Sequence, residues 1–373
     1  MNYRSISTYL LWATVAGIIC LLPSCMNDEK EQNQMKVDRS PMLESLADKV
    51  IIPAYTVFHT AAFGLNEHIQ AFAETPSQET LSDAREQFHT AYHSWQHVAL
   101  FDFGPAFTHT LRANVNTFPT DNFSIDNAIA SGTLELDKIS AQNKKGLPAL
   151  DYLLFGLAET DQEMLQLYTD GENAAHRRAY LTAVAEDILL KTDQVYNGWL
   201  EAEGNYRDTF IDKDGTDVGS SIGQMVNAFS QYFERFNRDA RIGVPLGKRS
   251  QGTPIPRNVE AYYSGKSISL ATENLKGVIN FFKGGNGEGL HDYLKSLDTK
   301  HNDRLLADVV LDQFETAEKK VTAIPSPLTE AVTSNTEPVD AAHKELQKAV
   351  ILIKVDMASA LGVLITYQDN DGD

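Results

Sequence analysis

Cysteine is almost missing from this 373-residue chain, which has two, at positions 20 and 25. Beyond Cys25 no internal disulfide can form, and no thiol is present to act as a nucleophile or a metal ligand. Basic residues are also in short supply, 32 Lys and Arg against 51 Asp and Glu, a formal charge of −19. A field of that sign repels phosphate backbones and anionic headgroups, which excludes nucleic acid as a partner and a polybasic patch as a membrane anchor. Cations are its natural company, although an acidic surface most often serves solubility alone. The common catalytic signatures are absent as well: no His-Glu-x-x-His, no Gly-x-Gly-x-x-Gly behind a strand, no phosphate loop and no Gly-x-Ser-x-Gly.

What is present begins at the N-terminus. Arg4 precedes an apolar run from Leu10 to Leu22, closed by Leu22-Pro23-Ser24-Cys25. A run of 13 residues falls short of the roughly 20 that cross a bilayer, so it reads as an export signal over residues 1–24. Its ending resembles a bacterial lipobox, which implies an acylated, palmitate-bearing Cys25 and attachment to the outer membrane, since several acyl chains hold where one dissociates. An ordinary secretion signal with an incidental cysteine is the other reading. Residues 25–40 are polar and read as a tether. Their acidic start resembles the surface-export signal of Bacteroidetes lipoproteins, so both the periplasm and the cell surface stay open.

From Met42 onward apolar residues recur at three and four. Val50, Ala54, Val57, Ala61, Leu65, Ile69 and Phe72 form one such stripe, the mark of an amphipathic helix. The same pattern predicts helices over 77–101, 147–157, 162–168, 174–200, 218–237, 267–282, 290–297, 303–323 and 338–362. Pro53 should kink the first helix, and Ser77 should cap the second. Residues 102–145 lose the pattern and read as a long connection with one short helix near 125–130; connections of that length usually carry function. Loops are expected over 243–259 and 324–336. No period-two alternation appears, so the class is all-α. The polar stretch 201–217 suggests two helical bundles, 41–205 and 206–373, packed around an interdomain cleft.

Three histidines, His89, His93 and His97, stand four apart on the second helix, about 40° from one to the next and off the core face. Adjacent members could chelate Zn²⁺, Cu²⁺ or Ni²⁺; a solvated helix face that happens to carry histidines is the preferred account. Asp212-Lys213-Asp214-Gly215-Thr216-Asp217 resembles a calcium loop only in composition, since its glycine and acids are out of register for an EF-hand, and it reads as a capping linker. The acidic end of the chain, including Asp369, Asp371 and Asp373, reads as a flexible tail.

Lys145-Gly146-Leu147-Pro148-Ala149-Leu150-Asp151-Tyr152-Leu153-Leu154-Phe155-Gly156 resembles the imelysin family, peptidase family M75. Ala84-Arg85 through Ser94-Trp95, Phe103-Gly104-Pro105, Thr117-Phe118-Pro119-Thr120-Asp121, Arg241-Ile242-Gly243-Val244-Pro245-Leu246, Val259 to Ser264 with Ser267, and Thr366 to Asp373 extend the likeness over about residues 42–373. The resemblance implies two all-helical bundles around a cleft, export, and a link to bacterial iron uptake. The family motif Gly-x-His-x-x-Glu falls on Gly146, Pro148 and Asp151. A proline replaces the histidine and offers no ligand atom, while Asp151 keeps a carboxylate on a shorter arm. Pro148 also suits the first turn of a helix, where Asp151 would feel the positive helix end.

The expected function is therefore a non-enzymatic, imelysin-like envelope lipoprotein, a monomer, that binds a small ligand, haem or a metal species for iron or haem acquisition, together with an envelope uptake component. Its expected cleft site is Asp151 with Arg112, Arg241, Ser264 and Asp371, the two arginines as anion contacts. No catalytic residue is assigned, and the cofactor is left open among iron, zinc and calcium. A metallopeptidase of the M75 type and a surface protein recognising another envelope component or a glycan are the rivals. A peptidase metal would need about three protein ligands.

Overall fold

The apolar stripes become helices throughout the computed structural model, which describes residues 38–200, 202 and 204–367. The signal segment, Cys25, most of the tether and Asp371 lie outside the described residues. Among those residues the only strands are a two-residue antiparallel pair, β1 (Lys300–His301) and β2 (Arg304–Leu305).

The first group of helices contains α1 (Ser40–Leu46), α2 (Ile52–Glu74) and α3 (Gln78–Trp95). Short helices α4 (Pro105–Thr108), α5 (Leu111–Val115) and α6 (Asn122–Ser131) follow. Then come α7 (Gly146–Phe155), α8 (Asp161–Thr169) and α9 (Ala174–Trp199), the last packed along α2. Between α1 and α2 the backbone makes a π turn, Ala47–Ile51. Pro53 has no N–H to give the Lys49 carbonyl, and a widened turn just before a proline absorbs that loss, so the kink expected there is a change of helical pitch. Ser77 caps α3 as expected: its hydroxyl accepts the Thr80 N–H at 3.2 Å while the Thr80 hydroxyl accepts the Ser77 N–H at 3.1 Å, an arrangement that contributes about 1 kcal/mol.

The second group holds α10 (Tyr206–Asp212), α11 (Ser221–Tyr232), α12 (Ser267–Lys283), α13 (Leu290–Ser296), α14 (Leu306–Thr322), α15 (Leu328–Ser334), α16 (Thr336–Ile351) and α17 (Ala358–Ala360). Three intervals differ from the sequence expectation. Residues 102–145 carry α4, α5, α6 and a 3₁₀ turn, Ile139–Lys144, because segments too short to show a periodic stripe still bury Leu111, Val115, Ile125 and Ile129. The loop expected at 324–336 contains α15. The helix expected to stop at Asn237 continues as a π-helix, Phe233–Gly243.

The polar interval 201–217 marks where the chain passes from one group to the other, and it does not separate their cores. The described residues cluster as one compact unit. Phe210 of α10 packs against Trp199 with ring centroids 5.5 Å apart, and Phe101 of the first group meets Phe281 of the second at 5.5 Å. Asp217 and Ser220 do act as capping linker: the Ser220 hydroxyl accepts the Gly223 N–H at 3.1 Å at the start of α11.

Candidate functional site

Where the two groups of helices meet, the buried surface is polar. Glu260, about 1% exposed, is its centre. Its Oε1 accepts the amides of Asn116 at 2.7 Å and Gln96 at 3.1 Å, and its Oε2 accepts Arg241 Nε at 2.6 Å. Arg241 donates further to the Gln96 carbonyl oxygen at 2.7 Å, the Tyr232 hydroxyl at 3.0 Å and the Asn237 carbonyl oxygen at 2.5 Å. Tyr92 donates to Asn116, and Asn274 donates to the Gln96 main-chain carbonyl and the Tyr232 hydroxyl. The π-helix makes this possible: its wide turns bring Glu234, Asn237, Arg238, Asp239 and Arg241 to the buried side, and helices of that kind are concentrated where function or strain demands them. A buried ion pair of this type stands because the Arg241 donors and the Glu260 oxygens are themselves engaged, although Asn237 Nδ2 and Asn274 Oδ1 around them are buried without a partner.

Asp151 lies on the same seam under different conditions. Gly146 starts α7 at φ +75°, and a Cβ there would come within 2.4 Å of the Val115 carbonyl oxygen, so the motif glycine lets the helix start sit directly on α5. Pro148 fills the first turn, where its missing N–H costs nothing. One turn on, the buried Asp151 carboxylate reaches the segment after Glu260, accepting the backbone N–H of Tyr263 at 2.8 Å and of Ser264 at 3.1 Å. Burial pushes its pKa up to about 6, with the nearby Ser264 hydroxyl and the two N–H donors pulling the other way and the charge of Glu260 adding to the rise. Beside it is a cavity of about 20 Å³ walled by Phe118, Pro119, Thr120, Pro148, Arg257 and Tyr263, room for about one water.

The residues expected to share this site are dispersed. Ser264 is at Asp151, but through its main chain; its buried hydroxyl has no hydrogen-bond partner. Arg241 is no anion contact, since its guanidinium is committed to Glu260 on the buried side of the π-helix. Arg112 is held by Asp102 at 2.7 Å and lies over the Phe236 ring, 3.9 Å from its centroid. Glu260, Gln96, Asn116 and Asn274 escaped sequence reasoning, because nothing local distinguishes them from surface polar residues. Only the place of Glu260 in the Val259 to Ser264 stretch of the family resemblance pointed at it.

His89 and His93 are half-buried on the flank of α3, next to Phe155, and burial lowers both pKa values, that of His89 to about 4. His97 falls in the turn after α3 and faces α12, where its Nε2 meets Glu273 Oε1 at 2.8 Å. The row of three is thus divided. Among the described residues no three His, Cys, Asp or Glu side chains gather as a metal-binding group. Asp151 does not fit a peptidase metal either: both its oxygens are engaged by N–H donors, and Pro148 supplies no ligand.

The family model described as Imelysin, Peptidase_M75, matches residues 51–354. The chain is 23% identical over 324 residues to iron-regulated protein A of Synechococcus elongatus, covering 84% of this chain and 82% of that one. Among solved structures, a proposed iron-regulated protein A precursor from Parabacteroides distasonis superposes with a TM-score of 0.72 at 21% identity, over 87% of this chain and 95% of that one. An imelysin-like protein from Psychrobacter arcticum gives 0.69 at 17% identity, over 89% and 98%. At such identities the structures speak for the fold alone.

Proposed function

Because the chain belongs to the imelysin family, we propose that it is an exported, lipid-anchored envelope protein of iron acquisition that recognises a small ligand or metal species and does not cleave peptides. The observation that carries the non-hydrolytic part is the state of Asp151: the one carboxylate kept at the family motif already accepts two backbone N–H groups beside a cavity of about 20 Å³, and no imidazole accompanies it. A hydrolytic metal would have to share those oxygens with both donors and find its other ligands elsewhere. The iron connection is supported by the name of the Synechococcus relative, iron-regulated protein A. Export and anchoring are supported by the Leu10 to Cys25 segment; no helix among the described residues is long and apolar enough to cross a membrane.

The test joins a cellular and a biochemical measurement. A strain lacking the protein should grow more slowly when ferric citrate or haem is its sole iron source. Wild type should restore growth from the membrane fraction, and Cys25→Ser should leave that fraction. Purified mature protein should not cleave unfolded peptides with added Zn²⁺ or Fe²⁺. Chelator-sensitive cleavage that disappears in Asp151→Asn would reject the reading, as would growth indifferent to the gene.

A further inference from the structure

Most histidines of the described chain are tied to a protein acceptor. His59 meets Asp193, His97 meets Glu273, His291 meets Asp308 and His301 meets Asp356, while His68 and His176 bond main-chain carbonyls. His89, His93, His109 and His343 have no such partner, and among these His89 and His93 are the adjacent pair. They stand one turn apart on α3 and line the same open groove, about 650 Å³, with Arg85 and Phe155, and neither ring hydrogen-bonds to the protein. The His89 ring is held nonetheless: its centroid lies 5.4 Å from that of Phe88 and 5.2 Å from that of Phe155, so packing limits its rotation while both nitrogens stay available.

We infer that His89 and His93 form a two-imidazole docking site for a divalent late transition-metal ion, bare or carried by a small chelator. Residues four apart on a helix have their Cβ atoms roughly 5–6 Å from each other, within reach of one ion. Two protein ligands leave the remaining coordination positions to water or to a carried chelator, an arrangement suited to taking up and passing on a metal and unsuited to locking it in. The third member of the row cannot join, since Glu273 holds its Nε2. Arg85 walls one side of the groove without a charge to spare: its guanidinium lies over the Phe155 ring, 4.9 Å from the centroid, with Nε on the Leu154 main-chain carbonyl at 2.9 Å and Nη1 on Asp161 at 2.6 Å.

The experiment uses untagged full-length mature protein with Cu²⁺ or Zn²⁺ followed by titration calorimetry, and haemin followed by its Soret band as a contrasting arm. Wild type should bind one equivalent of the ion. Either His89→Ala or His93→Ala should weaken it by roughly tenfold or more, and the double variant should abolish it. His97→Ala should bind like wild type, with helical content by circular dichroism unchanged throughout. No ion binding, equal ion binding by wild type and the double variant, or a Soret shift lost in the double variant without any ion binding overturns the inference. Asp151→Asn should bind like wild type, so failure here is distinct from failure at the Asp151 cavity.

Discussion

Glu260 and Asp151 are both about 1% exposed and both sit where the two helix groups meet, yet their surroundings are opposite. Glu260 has a guanidinium against it and two amides on one oxygen. Asp151 has the Tyr263 and Ser264 N–H groups, the Ser264 hydroxyl close by and a small cavity. Dipoles without a counter-charge stabilise a carboxylate less than burial destabilises it, which is why Asp151 is pushed up to about 6. Full compensation marks Glu260 as a fastener between the groups, while partial compensation leaves Asp151 responsive to whatever comes near it.

The most severe way to disturb this contrast is to strip Glu260 of its partner. Arg241→Met should cost about 3–5 kcal/mol in urea unfolding, because it strands a buried charge, and adding Glu260→Gln should recover part of that loss in a double-mutant cycle. A cost below about 1 kcal/mol would place Glu260 on a level with surface pairs and end the comparison.

A smaller effect, and one that depends on pH, is expected at Asp151. Its folded pKa is raised above the unfolded value, so between about pH 4 and 6 the folded chain keeps a proton that the unfolded chain has released. Stability therefore falls as pH rises through that window, by about 3 kcal/mol in total. The difference in unfolding free energy between wild type and Asp151→Asn, measured from pH 4 to 7.5, isolates this group from the others that titrate. A flat difference would show that the two N–H donors balance burial after all.

The smallest effect sharpens the comparison at a pair of serines. Ser267 donates its hydroxyl to the Glu260 main-chain carbonyl, and Ser267→Ala should cost about 1 kcal/mol. Ser264 hydrogen-bonds Asp151 through its backbone, its hydroxyl nearby without a hydrogen bond of its own, and Ser264→Ala should stay within about 0.5 kcal/mol by thermal unfolding. The reverse order would mean that the hydroxyl of Ser264 belongs to the Asp151 site.

Much of the fold was legible because long amphipathic helices announce themselves: the helix expected over 174–200 spans Ala174–Trp199, and that expected over 267–282 spans Ser267–Lys283. Short helices such as α4 and α5 were not, since four or five residues hold too little periodicity to separate them from loop. The site was half legible. Gly146, Pro148 and Asp151 lie within six residues on the family pattern, and the Ser264 N–H meets Asp151. Arg241, expected beyond the helix end as an anion contact, is instead carried onto Glu260 by a π-helix of 11 residues that the α-helical period does not announce. Gln96 and Asn116 meet Glu260 across 164 and 144 residues of chain, and no local signal reports a partner so distant.

That distance also sets an order of assembly. A chain synthesised from its N-terminus presents Gln96 and Asn116 long before Arg241, Glu260 and Asn274 exist, so the first half cannot complete its buried polar face until about three-quarters of the polypeptide is available. Until then those amides have only water to bond. A fragment ending in the 201–217 interval would keep most of the α2, α3 and α9 packing yet expose a wet, unfinished wall, and a cell would meet any prematurely terminated product as a target for proteolysis.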